Sequence, residues 1–358
     1  MKKIISIMCI LVLLVCGLTA CGGMGGNNVA DVHVFYYSYS DTYVSSVRSA
    51  LDKALNDKNI TFQDYDGNSN QTTQTEQVQT AVTKGAKAIL VNIVTTGSDE
   101  AASGIVTMAK NAGIPVIFFN REVSDNIVNS YDKCAYIGTD AAEAGQLQGE
   151  MIGEYVKDNF KKIDLNGDGE ISYIMFMGEK GNNEAIYRTK YGVENANKVI
   201  EQAGLKPLKF YDPSNTDKYL VDKDGKWSAT AANEYMVTAL TSYNATNNNM
   251  IELIICNNDG MAEGAISALK SIGYNTGTDQ TKVIPVFGVD ATEAAKDLIS
   301  KGQMAGTIKQ DAEGMANAML LLTENALANK NLMEGTGDYN VDSDVAKIRI
   351  PYSKYLGQ

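Results

Sequence analysis

Short apolar runs alternate along the chain with longer stretches whose apolar positions recur at helical spacing. The runs HVFYYSY, TFQDY, AKAILVNIV and IPVIFFN come first; ISYIMFM, LKFYD, IELIICN, VIPVFGVD and AGTIKQ follow. Between them lie 43–58, 71–84, 98–111, 141–162, 185–202, 229–244, 261–271 and 291–301. In the first of these, Val44, Val47, Leu51 and Leu55 share one helical face. Strand–helix–strand repetition with short turns predicts parallel sheets covered by helices on both faces. Two sets of units predict two similar doubly wound α/β lobes joined by a hinge: 29–139 plus 310–349, and 140–309 plus 350–358. A helix over 311–327 and the tail RIPY cross back between them. Such lobes enclose a cleft, and ligands of these sheets bind at the carboxyl ends of the strands.

The N-terminus carries an address. Lys2 and Lys3 precede an apolar run from Ile4 to Leu18, which ends at Thr19-Ala20-Cys21. A positive start, an apolar core and small residues predict a signal peptide over 1–20, the run being shorter than the roughly 20 residues a membrane helix needs. Cys21, directly after the small residues, resembles the lipidated cysteine of a bacterial lipobox, with 21–28 as a lipid-anchored linker. The protein is then expected outside the cytoplasm, held to the cell membrane by its lipid alone. Cys9 and Cys16 leave with the signal, so Cys134 and Cys256, both in apolar runs, are expected as buried free thiols.

Composition narrows the function. Of 358 residues, 44% are hydrophobic and 21% charged, an ordinary globular balance. The net charge of −12 is the wrong sign for a nucleic-acid partner. A single histidine, His33, leaves no basis for a histidine-rich zinc site.

The chemistry gathers at the strand ends. Asp41 follows the first run, Asn120-Arg121 follow PVIFF, Asn257-Asn258-Asp259 follow LIIC, Asp290 follows VFGV and Gln310 follows GTIK. Glu184 and Arg188 stand one helical turn apart, past ISYIMFM. Any one Asp or Asn there reads as a helix N-cap. Together, at one edge, they read as a ligand site. Carboxylates, amides and a guanidinium suit the vicinal hydroxyls of a sugar, and no serine or histidine base stands among them. Tyr43 and Trp227 would cover the ring faces. A second constellation, 164–172 (DLNGDGEIS), follows a calcium-loop pattern. Asp164, Asn166 and Asp168 supply oxygens, Glu170 its carbonyl, and Ser172 acts through water. The usual closing glutamate is replaced by Met175, so a carboxylate from elsewhere must serve, with Glu252 the candidate.

Over essentially the whole mature chain the sequence resembles the periplasmic galactose/glucose-binding proteins of bacterial ABC sugar uptake and chemotaxis. The likeness is carried by YSYSDTYVSSVRSAL, PVIFFNREVSDN, YDKCAYIGTDAAEAGQLQGEMI, DLNGDGEIS, GEKGNNEAIYRTKYG, IICNNDGMAEGAISALK, PVFGVDAT and AGTIKQDAEG. It implies a type I periplasmic binding protein fold. It also implies a monomer that captures D-galactose or D-glucose, holds structural Ca2+ through a loop completed by Glu252, and serves an ABC permease, with a chemoreceptor as a further partner. It assigns sugar contacts to Asp41, Tyr43, Asn120, Arg188, Trp227, Asn258 and Asp290. Three positions depart: Asn182 stands for histidine, Glu184 for aspartate and Gln310 for asparagine. A one-carbon change in a pocket wall shifts selectivity by ~1–3 kcal/mol, so the preferred hexose is the least fixed expectation. The alternatives are a tethered glycoside hydrolase using carboxylates such as Asp41 and Asp290, or a carrier of another monosaccharide or chemotaxis ligand.

Overall fold

The computed structural model describes residues 29–357. The expected signal peptide over 1–20 and the whole 21–28 linker, Cys21 included, lie outside the described residues.

The first lobe runs β1 (Val32–Tyr36), α1 (Thr42–Asp57), β2 (Phe62–Asp66), α2 (Gln71–Lys84), β3 (Ala88–Val91), α3 (Glu100–Ala112), β4 (Val116–Phe119), α4 (Asp125–Asn129) and β5 (Cys134–Gly138). The second runs α5 (Ala141–Ile163), β6 (Ser172–Met177), α6 (Asn183–Gln202), β7 (Lys209–Phe210), β8 (Leu220–Val221), α7 (Ala229–Leu240), β9 (Leu253–Cys256), α8 (Asp259–Ser271), β10 (Val286–Asp290), α9 (Glu293–Ser300) and β11 (Gly306–Gln310). The chain then returns to the first lobe with α10 (Ala312–Leu327), β12 (Asn340–Val341) and β13 (Lys347–Arg349), and ends in the second with β14 (Tyr352–Tyr355). The first sheet has the order β12-β13-β5-β4-β3-β1-β2, the second β14-β11-β10-β9-β6-β7 with β8 beside β6. Among the described residues, only the pairings of β12 with β13 and of β14 with β11 are antiparallel.

Each sheet is buried on both faces. In the first lobe, Val32, Val34 and Tyr36 pack beneath α1 and α10, while Phe35 points to α2 and α3 on the other side. In the second, Ile174 and Phe176 face α7 and α8, whereas Tyr173 and Met175 face α5 and α6. Full burial explains why these strands read as unbroken apolar runs. Cys134 and Cys256 are free and buried, and burial pushes the Cys134 thiol up to about 12.

Three segments cross between the lobes: β5 to α5, β11 to α10, and β13 to β14. The second crossing falls just after Gln310, whose backbone still pairs in the second sheet, so Gln310 projects from that lobe and not from the first. α7 stops at Leu240, short of the expected 244. The Asn- and Thr-rich segment beyond it turns back on its own side chains, Asn244 accepting from the Asn247 N–H at 3.1 Å. Among the described residues no helix is long and apolar enough to cross a membrane.

Candidate functional site

The carboxyl ends of both sheets face one another across a small cavity. Its walls are Asp41, Tyr43, Asn120, Asn182, Glu184, Arg188, Trp227, Asn258, Asp290 and Gln310, together with Tyr37 and Arg121. The cavity volume is about 40 Å3, well below the ~300–1,000 Å3 usual for small-molecule sites, so the two walls stand close together.

Several of these residues are helix caps and cavity walls at once. Asp41 Oδ1 accepts from the Val44 N–H at 2.9 Å, capping α1, while its Oδ2 accepts from the Tyr37 hydroxyl at 2.6 Å. Asn182 caps α6 through Ala185, and Asn258 caps α8 through Met261. The capping reading and the ligand reading of a polar residue after a strand are therefore compatible. Capping fixes the rotamer that presents the remaining polar atoms to the cleft.

Arg188 is the hub. It is 3% exposed; Nη1 donates to the Asn257 carbonyl at 2.9 Å, and Nη2 reaches Tyr352 Oη at 2.8 Å, Glu184 Oε2 at 2.9 Å and Gln310 Oε1 at 3.2 Å. Burial works against its charge, but Tyr352, Glu184 and Asp290 more than offset this and raise its pKa. Glu184 is held a second time by the Thr139 hydroxyl at 2.8 Å. Asp290 has its pKa pushed well up by burial, with Arg188 opposing and Asp259, Asp41 and Glu184 adding to the rise.

Two further features mark the cavity as a binding site. Asn120, Trp227 and Asp290 hold φ values of 61°, 54° and 127°. Asparagine tolerates this region, but for tryptophan and aspartate it is strain of about 1–3 kcal/mol each, which structures retain mainly at functional sites. Gly178 makes room for Trp227, because a Cβ there would collide with the indole. Buried donors are also left without partners: Gln310 Nε2, Arg188 Nε and Arg121 Nε. Leaving a buried donor unpaired costs about 1–3 kcal/mol, so a ligand rich in hydroxyl acceptors is the natural complement.

All ten expected site residues line this one cavity. Asn257 and Asp259, noted at the same strand end, do not. Asn257 Oδ1 accepts from Gly178, and Asp259 lies under β10, bonded to Thr307 and Thr292. Sequence reasoning gave no role to Tyr37, Thr139 or Tyr352, and assigned Arg121 no contact of its own. Arg121 had a signal, its place beside Asn120 at a strand end; Tyr37 was hidden within an apolar run.

The acidic loop lies at the far end of the second lobe, between α5 and β6. Asp164 accepts from Gly167 and Gly169, Asn166 from Asp168, and Asp168 from Glu170. Glu252, 1% exposed, reaches in from the start of β9 to accept from Leu165, Asn166 and Ser172. The Glu170 side chain turns away to Lys206 and Lys209. The Ser172 hydroxyl is engaged by Glu252 and the Met250 carbonyl. Among the described residues no three His, Cys, Asp or Glu side chains draw together as a metal cluster. The donor set is mixed and entirely oxygen, which is the chemistry of a hard divalent cation.

Fold and cavity together define a two-lobed solute-binding protein. The periplasmic binding protein domain profile matches residues 32–331. The D-galactose/methyl-galactoside binding periplasmic protein MglB of Haemophilus influenzae is 36% identical over 336 residues, covering 93% of this chain and 92% of that protein. The D-xylose-binding periplasmic protein of Escherichia coli is 28% identical across 70% of this chain and 63% of its own length. Among solved structures, an ABC transporter solute binding protein from Clostridium phytofermentans with bound β-D-glucose matches with a TM-score of 0.69 at 20% identity, covering 91% of this chain and 94% of that one. One from Bacillus halodurans with bound myo-inositol matches with a TM-score of 0.67 at 24% identity, covering 93% and 96%. These two likenesses speak to fold alone. The chain belongs to the periplasmic binding protein family, extracytoplasmic transport proteins that bind a solute and are not enzymes. The hydrolase alternative is thereby set aside.

Proposed function

We propose that this protein is the capture component of an ABC sugar uptake system, closing its two lobes around one hexose, D-galactose or D-glucose. The observation that carries this reading is the cavity itself. Carboxylates, amides and two guanidiniums line it, three of its buried donors lack partners, and Tyr43 and Trp227 supply aromatic surface. Each sugar hydroxyl can donate to Asp41, Glu184 or Asp290 while accepting from an amide or a guanidinium. The indole of Trp227 covers the apolar C–H face of a pyranose. The Haemophilus relative's name supports galactose. Tethering through a lipid on Cys21 keeps the monomeric carrier beside its permease, and a chemoreceptor is a second docking partner for the closed form.

Structural calcium belongs to the same reading. Asp164, Asn166, Asp168, the Glu170 carbonyl and Glu252 would hold it, with Ser172 contributing through water. It would neutralise carboxylates that otherwise repel, bracing the α5–β6 turn far from the sugar.

Calorimetric titration with galactose, glucose, xylose, allose and myo-inositol tests the proposal. One-to-one binding of galactose or glucose, tighter than the other three, is expected. Tighter xylose, allose or inositol binding would move the assignment to that sugar; binding of none would refute it.

A further inference from the structure

Among the described residues, one ion pair joins the lobes away from the three crossing segments. Arg121, just past β4, donates Nη2 to Glu179 Oε2 at 2.6 Å, and Glu179 stands in the turn between β6 and α6. The same Nη2 donates to the Val94 carbonyl at 2.8 Å, and the guanidinium sits 4.3 Å from the centre of the Tyr37 ring. Asn182 Nδ2 donates to the same Glu179 oxygen at 3.2 Å and reaches Thr96 of the first lobe at 3.4 Å. Arg121 is 6% exposed. Arg121 and Tyr37 line the cavity, whereas Glu179 does not. Tyr37, pinned under the guanidinium, donates to Asp41 at 2.6 Å.

We infer that Arg121 and Glu179 form a closure latch, and that Tyr37 transmits its position to Asp41. All three act as positioning residues that set how long the sugar is held; this rests on the sugar reading above. The argument is one of linkage. The latch partners belong to different lobes, so their interaction exists only when the lobes meet. Any energy it supplies favours the closed, liganded state over the open one. A planar guanidinium can bond a carboxylate and stack on an aromatic ring together, which a point charge does less well. Once the latch is made, the Asp41 carboxylate is fixed by a charge-assisted bond from Tyr37 on one oxygen and the α1 cap on the other. Without Glu179 the guanidinium keeps only its first-lobe partners, so its hold on Tyr37, and through Tyr37 on Asp41, is looser.

Glu179 provides the clean test because it does not line the cavity. Stopped-flow kinetics with the hexose that calorimetry identifies should be compared for wild type, Glu179→Gln, Tyr37→Phe and the double variant. A latch made after encounter predicts that Glu179→Gln raises the dissociation rate about ten- to fiftyfold while the association rate stays within about twofold. Tyr37→Phe should raise the dissociation rate less, and the double variant should fall short of the product of the two. The melting temperature of sugar-free Glu179→Gln should match wild type, and X-ray scattering of its saturated form should show a less closed particle. A dissociation rate within about twofold of wild type, in a wild-type chain that binds hexose, overturns the latch alone. A wild-type chain that binds no hexose overturns the sugar reading and the latch with it.

Discussion

The two walls of the cleft are built differently. The wall from the second lobe is a dense polar network: Arg188 bonds Asn257, Gln310, Glu184 and Tyr352, and Glu184 is tied again to Thr139 at a crossing segment. The wall from the first lobe is sparse. Asp41 has one side-chain partner, Tyr37, and Asn120 is steadied by the Asn92 amide at 2.9 Å. The dense wall keeps a buried cation and its carboxylates in place before any ligand arrives. The sparse wall brings the groups that engage when the lobes close. Pre-organisation on one side and adjustability on the other is a sound division for a carrier that must also release its cargo.

The largest expected effect lies in the dense wall. Arg188→Met strands Glu184 and Asp290 as buried carboxylates without their cation. Hexose binding should be lost and the second lobe destabilised by about 3–5 kcal/mol, read by chemical denaturation. Unchanged stability would show that the network is not cohesive. The proposed calcium site sharpens the same contrast, because the 164–172 loop belongs to the second lobe. A cation that binds only the native state stabilises by ~4 kcal/mol at a thousandfold excess over its dissociation constant. A chelator should lower the melting temperature of that lobe and leave sugar affinity near wild type. Equal melting in calcium and in chelator would refute the site.

The sparse wall should separate binding from stability. Asp41→Asn keeps the cap on α1 but removes the charge, so hexose affinity should fall by ~1.5–3 kcal/mol with little change in melting. A comparable loss of stability would place Asp41 in the scaffold.

The smallest effect is a pH dependence of the first lobe. Asp64 on β2 has its carboxyl pushed up to about 7, by burial first and then by neighbouring Asp52, with Arg48 opposing. The folded state thus keeps a proton that the unfolded chain releases near pH ~4. Its contribution to stability is complete below that pH and is lost as pH rises through about 7. Melting at pH 8 should lie below melting at pH 5.5, and Asp64→Asn should reduce that slope, the remainder coming from Asp259 and Asp290 of the second lobe, whose carboxyls are also raised. A slope unchanged by the substitution assigns it to those other groups.

The sequence revealed these regions unequally, for physical reasons. Strands buried on both faces must be apolar throughout, so β1, β3, β4, β9 and β10 stood out. The short pairings β8, β12 and β13 carry no such pattern and depend on tertiary contact. Site residues at strand ends were legible because they interrupt apolar runs with chemistry. Tyr352 was not, because it stands 164 residues from Arg188 and meets it only through the third crossing. Arg121 was visible as a residue but not as a partner, since its carboxylate comes from the other lobe.

The most direct test of sugar capture between the lobes uses the chain's only tryptophan. Trp227 lies in the cavity wall, so its fluorescence reports this site without competing signals. Titration with galactose or glucose should shift that emission saturably, with a dissociation constant equal to the calorimetric one. Calorimetric binding with flat tryptophan emission, and normal binding by Trp227→Ala, would place the sugar elsewhere and contradict the account.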